Sequence, residues 1–164
     1  MRNLISLLFM FVLVCNLQSQ NAQACSSPQH RQFDFWLGKW EVLNPKGIKV
    51  GENVIQYIQD SCVILENWKS AQLTGTSYNY YDPTEKTWNQ LYLDNKGTIL
   101  KLKGNFVMGK MIVESETIKG KNYNYKNKIT WQVLEYGTVS QKWDIVDADG
   151  KILSVAFDGI YKRM

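Results

Sequence analysis

One histidine in 164 residues is the sharpest deficit of this chain, and it removes whole classes of chemistry. A serine-type triad needs a histidine base within reach of a nucleophile, and a zinc site needs several converging His, Cys or carboxylate ligands. His30, beside Arg31 at the start of a short helical pattern, reads as a solvated polar residue, so the expected metal-ligand set is none. The glycines form neither a phosphate loop nor a dinucleotide fingerprint. No Pro/Ser linker, low-complexity tract, internal repeat or long like-charge run divides the chain. Its lysines are scattered among turns rather than set in a stripe that would track phosphates, so nucleic acid is not an expected partner.

Long apolar runs are also scarce. The only one, Leu4 to Leu17, follows Arg2 and precedes Ala22-Gln23-Ala24, with small residues where a signal peptidase reads. It falls short of the roughly 18 residues a spanning helix needs, so residues 1–24 are expected to be a signal peptide and the mature protein to have no transmembrane segment. Without Arg2 the 19 basic side chains become 18 against 15 acidic, a mildly basic net charge of +3 on one domain-sized chain. Cys15 leaves with the leader, and Cys25 and Cys62 remain as an even pair for an oxidising, periplasmic or extracellular space. A disulfide between them would contribute roughly 4 kcal/mol on the chain-entropy model. A second fate is open to Cys25: as the first residue after cleavage it could carry a lipid anchor, although Ala22 stands where the lipoprotein signal prefers Leu.

Ser27-Pro28 reads as a helix start, and Phe33, Trp36 and Leu37 share one helical face before Gly38 ends it. This predicts a helix of about ten residues. From Gly38 the period changes: Trp40 and Val42 alternate with Lys39 and Glu41 as in a strand buried on one face. Turn chemistry then recurs at Asn44-Pro45-Lys46-Gly47, Asp82-Pro83, Asp94-Asn95-Lys96-Gly97, Met108-Gly109, Lys119-Gly120, Tyr136-Gly137 and Asp149-Gly150. Between the turns lie segments rich in Val, Ile, Thr, Tyr and Trp, and no second helix of convincing length. The expected fold is all-β: a single up-and-down antiparallel barrel of about nine or ten strands over residues 38–164, which removes the free edges of an open sheet. Residues 25–37 form the N-terminal segment and short helix, capping one end. A barrel of this size has an interior wider than its side chains must fill, so a small cavity is expected.

The ordered set HRQFDFWLGKWEV, Cys62 shortly before Glu66-Asn67-Trp68, Tyr80-Tyr81-Asp82-Pro83 and Phe157-Asp158-Gly159-Ile160-Tyr161 resembles an uncharacterised family of exported bacterial lipocalin-like (calycin-type) proteins classed as a domain of unknown function. Gly38-Lys39-Trp40 is similar to the Gly-x-Trp signature of that wider group. The resemblance implies a lipocalin-like barrel and carries over no catalytic residues. Nitrobindin-type haem barrels also resemble the chain in size and start, but they hold iron through a histidine on a late strand. Here His30 precedes the barrel, and no Met, Tyr or Cys stands in a haem motif, so no cofactor is expected.

The chain is rich in rings, with 6 Trp and 9 Tyr. Trp68, Tyr78, Trp88, Gln90, Tyr92 and Trp131, on successive predicted strands, are the candidate walls of a cavity for a small, mostly apolar ligand. Packed core explains many such rings equally well. Tyr161 and Arg163, two apart, could face one way as a carboxylate-binding pair. Among the acids, Glu114 and Glu116 share a lysine-rich face that reads as solvated. Glu66 alternates with Cys62, Ile64 and Trp68, and two registers are open to it. Inside, it is a ligand anchor or the acid of a cavity enzyme working with a tyrosine; outside, Val63 and Leu65 fill the interior instead, and the second is favoured. The alternatives to a ligand-holding barrel are therefore that enzyme, or a periplasmic or surface interaction scaffold with a filled barrel.

Overall fold

The computed structural model describes residues 23–164, so the expected leader, apart from its last two residues, lies outside the described residues, as does Cys15. Among the described residues eleven strands follow one another: β1 (Gly38–Leu43), β2 (Lys49–Ile58), β3 (Val63–Lys69), β4 (Thr74–Asp82), β5 (Thr87–Asp94), β6 (Ile99–Val107), β7 (Lys110–Ser115), β8 (Ile118–Lys119), β9 (Asn124–Val133), β10 (Val139–Val146) and β11 (Ile152–Arg163). Ten of them close into an antiparallel up-and-down barrel. β1 pairs with both β2 and β11, and β9 pairs with both β7 and β10, so no barrel strand keeps a free edge. The eleventh, β8, is a two-residue strand on the first residues of β9. Among the described residues no helix is long and apolar enough to cross a membrane.

Period-two patterning drives closure, because each strand must turn its apolar row to the same side of the sheet. Trp40 and Val42 of β1, Met111 and Val113 of β7, and Ile129 and Trp131 of β9 are all buried, while Lys39 is exposed and Glu41 half-buried. Lys126 and Lys128 pair with Glu114 on the outer face at 3.5 Å, where the sequence places that acid.

The N-terminal segment departs from the expected ten-residue helix. It forms two 3-10 turns, Pro28–Arg31 and Asp34–Trp36. In 3-10 geometry side chains three apart eclipse one another, whereas in an α-helix they splay. Phe33 and Trp36 accordingly stack with ring centroids 4.8 Å apart and 14° between planes, forming one wedge. Phe33 meets Trp88 and Trp131 edge-on, Trp36 lies against Trp131, and the Trp40 indole donates to the Trp36 carbonyl at 2.8 Å.

The wedge is stitched to the barrel rim from outside. Arg31 donates to the carbonyls of Cys25 and Ser61, both at 2.8 Å, and its guanidinium lies over Tyr57. The Tyr57 hydroxyl donates to Asp34. Cys25 and Cys62 stand at disulfide distance, with Cα atoms 5.1 Å apart, so the segment is held at both of its ends.

Gly38, where the segment becomes β1, has φ +140°, and a Cβ there would sit 2.5 Å from the Arg163 guanidinium. That guanidinium lies over the Trp40 ring, 4.4 Å from its centroid, and donates to the Leu37 carbonyl. Gly38→Ala should therefore lower stability by about 1–3 kcal/mol through the strained backbone alone. A urea titration would show it as a lower midpoint with unchanged slope, and an unchanged midpoint would contradict the packing described.

Candidate functional site

The wedge fills only the end of the barrel where β1 begins. Beyond it the interior opens into a cavity of about 160 Å³, lined by Glu66, Trp68, Leu73, Gln90, Tyr92, Leu100, Ile129, Gln141, Trp143, Ala156, Phe157 and Tyr161. Trp68 and Phe157 meet edge-to-face at 5.7 Å. Glycines leave room for these rings: a Cβ on Gly51 would strike the Trp68 indole at 2.5 Å, and one on Gly75 would strike the Tyr92 hydroxyl at 2.4 Å.

Between wedge and cavity lies a polar layer centred on Glu66. Strand register brings Ser77 directly opposite both Glu66 and Tyr92, and Asn79 opposite both Ile64 and Gln90. Asn53 donates to Glu66 Oε1 at 2.7 Å, and Ser77 donates to Oε2 at 2.6 Å. The Ser77 hydroxyl in turn accepts from Asn79 at 2.9 Å and from Gln90 at 3.3 Å. The Tyr161 hydroxyl accepts from Asn53 at 3.3 Å and donates to Gln141. Gln90 Oε1 is buried with no partner.

Electrostatics follow from burial. Glu66 is only 5 % exposed, and among the described residues no Lys, Arg or His lines the cavity with it. Desolvation pushes its carboxyl above the ordinary range, opposed by the bonds from Ser77 and Asn53. Burial, reinforced by Asp94 and Glu66, pushes the Tyr92 phenol up to about 12. Burial and then Glu66 push Tyr161 up as well, so both phenols keep their protons at ordinary pH.

Several sequence expectations change here. Glu66 faces inward with Ile64, which overturns the favoured register that put Val63 and Leu65 inside. Of the candidate wall residues, Trp68, Gln90 and Tyr92 line the cavity. Trp88 and Trp131 are buried around the wedge, at its Phe33 ring, and belong to the packed core. Tyr78 points outward, 41 % exposed, because the inner row of β4 is Gly75, Ser77 and Asn79. Small side chains are needed there to admit Tyr92 and to reach Glu66. Tyr161 and Arg163 do not act together: the phenol bonds within the polar layer, whereas the guanidinium lies over the Trp40 ring and donates to the Leu37 carbonyl. No hydrogen bond joins Glu66 to a phenol either. Asn53 donates to both, and an amide that only donates passes no proton between them.

Sequence reasoning missed Asn53, Ser77, Asn79 and Gln141, the polar partners. The available signal was positional: each alternates with residues of a buried row, as Asn53 does with Gly51 and Ile55. A scan against known family models finds no match to this chain, and a search of curated proteins finds none either.

Because the folded state holds Glu66 above the ordinary carboxyl pKa, it contributes stability that is present at low pH and is lost as pH rises through the folded value. Glu66→Gln removes this titration. Each pH unit by which the two pKa values differ is worth about 1.4 kcal/mol. In urea titrations at several pH values, wild type should lose stability relative to the variant between acid and neutral pH; parallel curves would refute the carboxyl's raised pKa.

Proposed function

We propose that this protein is an exported lipocalin-like barrel that holds a small, mostly apolar ligand, and that it belongs to the family of exported barrels its sequence resembles. The observation that carries the binding role is the cavity beyond the wedge, walled by Trp68, Tyr92, Trp143 and Phe157 with Leu100 and Ile129, and with polar groups at its floor. Ligand sites are commonly built this way, largely apolar with a few fixed polar groups, and the mouths of β-barrels are among their preferred places. The volume, about 160 Å³, is comparable with cavities of about 150 Å³ that accept one benzene ring. Export is supported by the leader pattern of residues 1–24 and by the Cys25–Cys62 pair, which would leave no free thiol on Cys25 for a lipid.

Native mass spectrometry and solvent extraction of protein purified from its own host should recover a bound small molecule. Ile129→Trp places an indole in the cavity and should abolish that recovery, at a stability cost of about 1–3 kcal/mol for overpacking. Recovery of the same molecule from the Ile129→Trp protein would place binding elsewhere, and a consistently empty wild type would end the proposal.

A further inference from the structure

The polar floor is short of protons, and the shortage identifies what the ligand must bring. A carboxylate has about four lone-pair sites. Asn53 and Ser77 fill two of those on Glu66. Ser77 has one proton, already given to Glu66, and accepts from Asn79 and Gln90. The Tyr161 proton goes to Gln141, and the Asn53 amide is shared between Glu66 and Tyr161. Gln90 Oε1 has no donor at all. Gln90 Nε2 and Glu66 Oε2 both bond the Ser77 hydroxyl, at 3.3 Å and 2.6 Å, so these two residues flank one point of the cavity floor.

Charge tells the same story as the protons. A buried charge needs a pair or a metal. Among the described residues no cationic side chain lines the cavity, and no group of three or more His, Cys, Asp or Glu is placed to hold a metal ion. A wholly apolar ligand would displace water from Glu66 and Gln90 and leave their acceptors unmatched, at the desolvation penalty of each. An ammonium group supplies three donors and one positive charge. The rings above the floor suit such a group as well, since cations are attracted to the faces of Trp, Tyr and Phe.

We propose that the cavity selects a small monocationic amine, its ammonium seated against Glu66 and Gln90 Oε1 and its apolar body among Trp68, Tyr92, Trp143 and Phe157. This rests on the cavity being a binding site, and it adds the chemical class of what is bound. Ionised Glu66 is the binding form, and the ammonium supplies the counter-charge that the protein itself withholds from it.

Benzylamine and benzyl alcohol have the same number of heavy atoms and one ring each, and differ in the charged group. Titrated into the full protein at neutral pH and followed by tryptophan fluorescence and calorimetry, benzylamine should bind at least tenfold more tightly than benzyl alcohol. Glu66→Gln should erase that preference while leaving the affinity for benzyl alcohol within about twofold, a difference of under 0.5 kcal/mol. Gln90→Leu, which removes this unmatched acceptor together with the Nε2 donor to Ser77 but keeps the Glu66 charge, should reduce the preference without erasing it, and it keeps the test open should the Glu66 variant misfold. Equal or tighter binding of the alcohol by wild type overturns the amine assignment and leaves the binding role standing. Binding of neither probe overturns both.

Discussion

Everything inside this barrel is arranged around the insertion of Phe33 and Trp36 into one end. A ten-stranded closed sheet encloses more width than its own inward side chains fill. At the end where β1 begins, the stacked pair takes up that space together with Trp88, Trp131 and Trp40. At the other end no segment of the described residues enters in the same way, and the cavity is what remains. The wedge thus sets the depth of the cavity floor, and the polar layer of Asn53, Glu66, Ser77 and Gln90 lies where wedge packing stops. Removing the wedge would not enlarge the site so much as dissolve its floor.

The wedge's position is fixed by interactions of quite different kinds. Arg31 closes on two carbonyls and a tyrosine face, Asp34 accepts from Tyr57, the cysteine pair closes the loop, and Gly38 gives the backbone the angle that leads into β1. None of these is large alone. Together they remove the freedom of a thirteen-residue segment that would otherwise pay heavily in entropy to stay docked.

The fold was legible because it rests on two signals that do not depend on register: turn residues at short intervals, and strands too numerous for an open sheet. The site was legible only in part because it depends wholly on register. In β5, Trp88, Gln90 and Tyr92 share the inner face, as their alternation suggested. In β4 the same logic fails, since Tyr78 and Tyr80 are the outer row and the inner row is small and polar. Aromatic content points inward only where the interior has room, and opposite β5 the room was already taken. Glu66 was misplaced for a related reason. A carboxyl looks like a surface residue until its cross-strand neighbours, Ser77 and, through Trp68, Asn53, are known to carry donors. Those partners sit across neighbouring strands, 13 and 11 residues away in the chain, and the alternation around Glu66 bears no mark of them.

The pairing of β1 with β11 sets Trp40 opposite Arg163, and the amide of Met164 donates to the Lys39 carbonyl. The first strand of the barrel is therefore completed by the eleventh, and the ring closes only when these two meet. Until β11 docks, β1 has one neighbour, the ring of Trp40 has no guanidinium above it, and the cylinder stays unlocked. Contacts so remote in sequence form slowly, so the β1–β11 seam is the late step in closing the barrel.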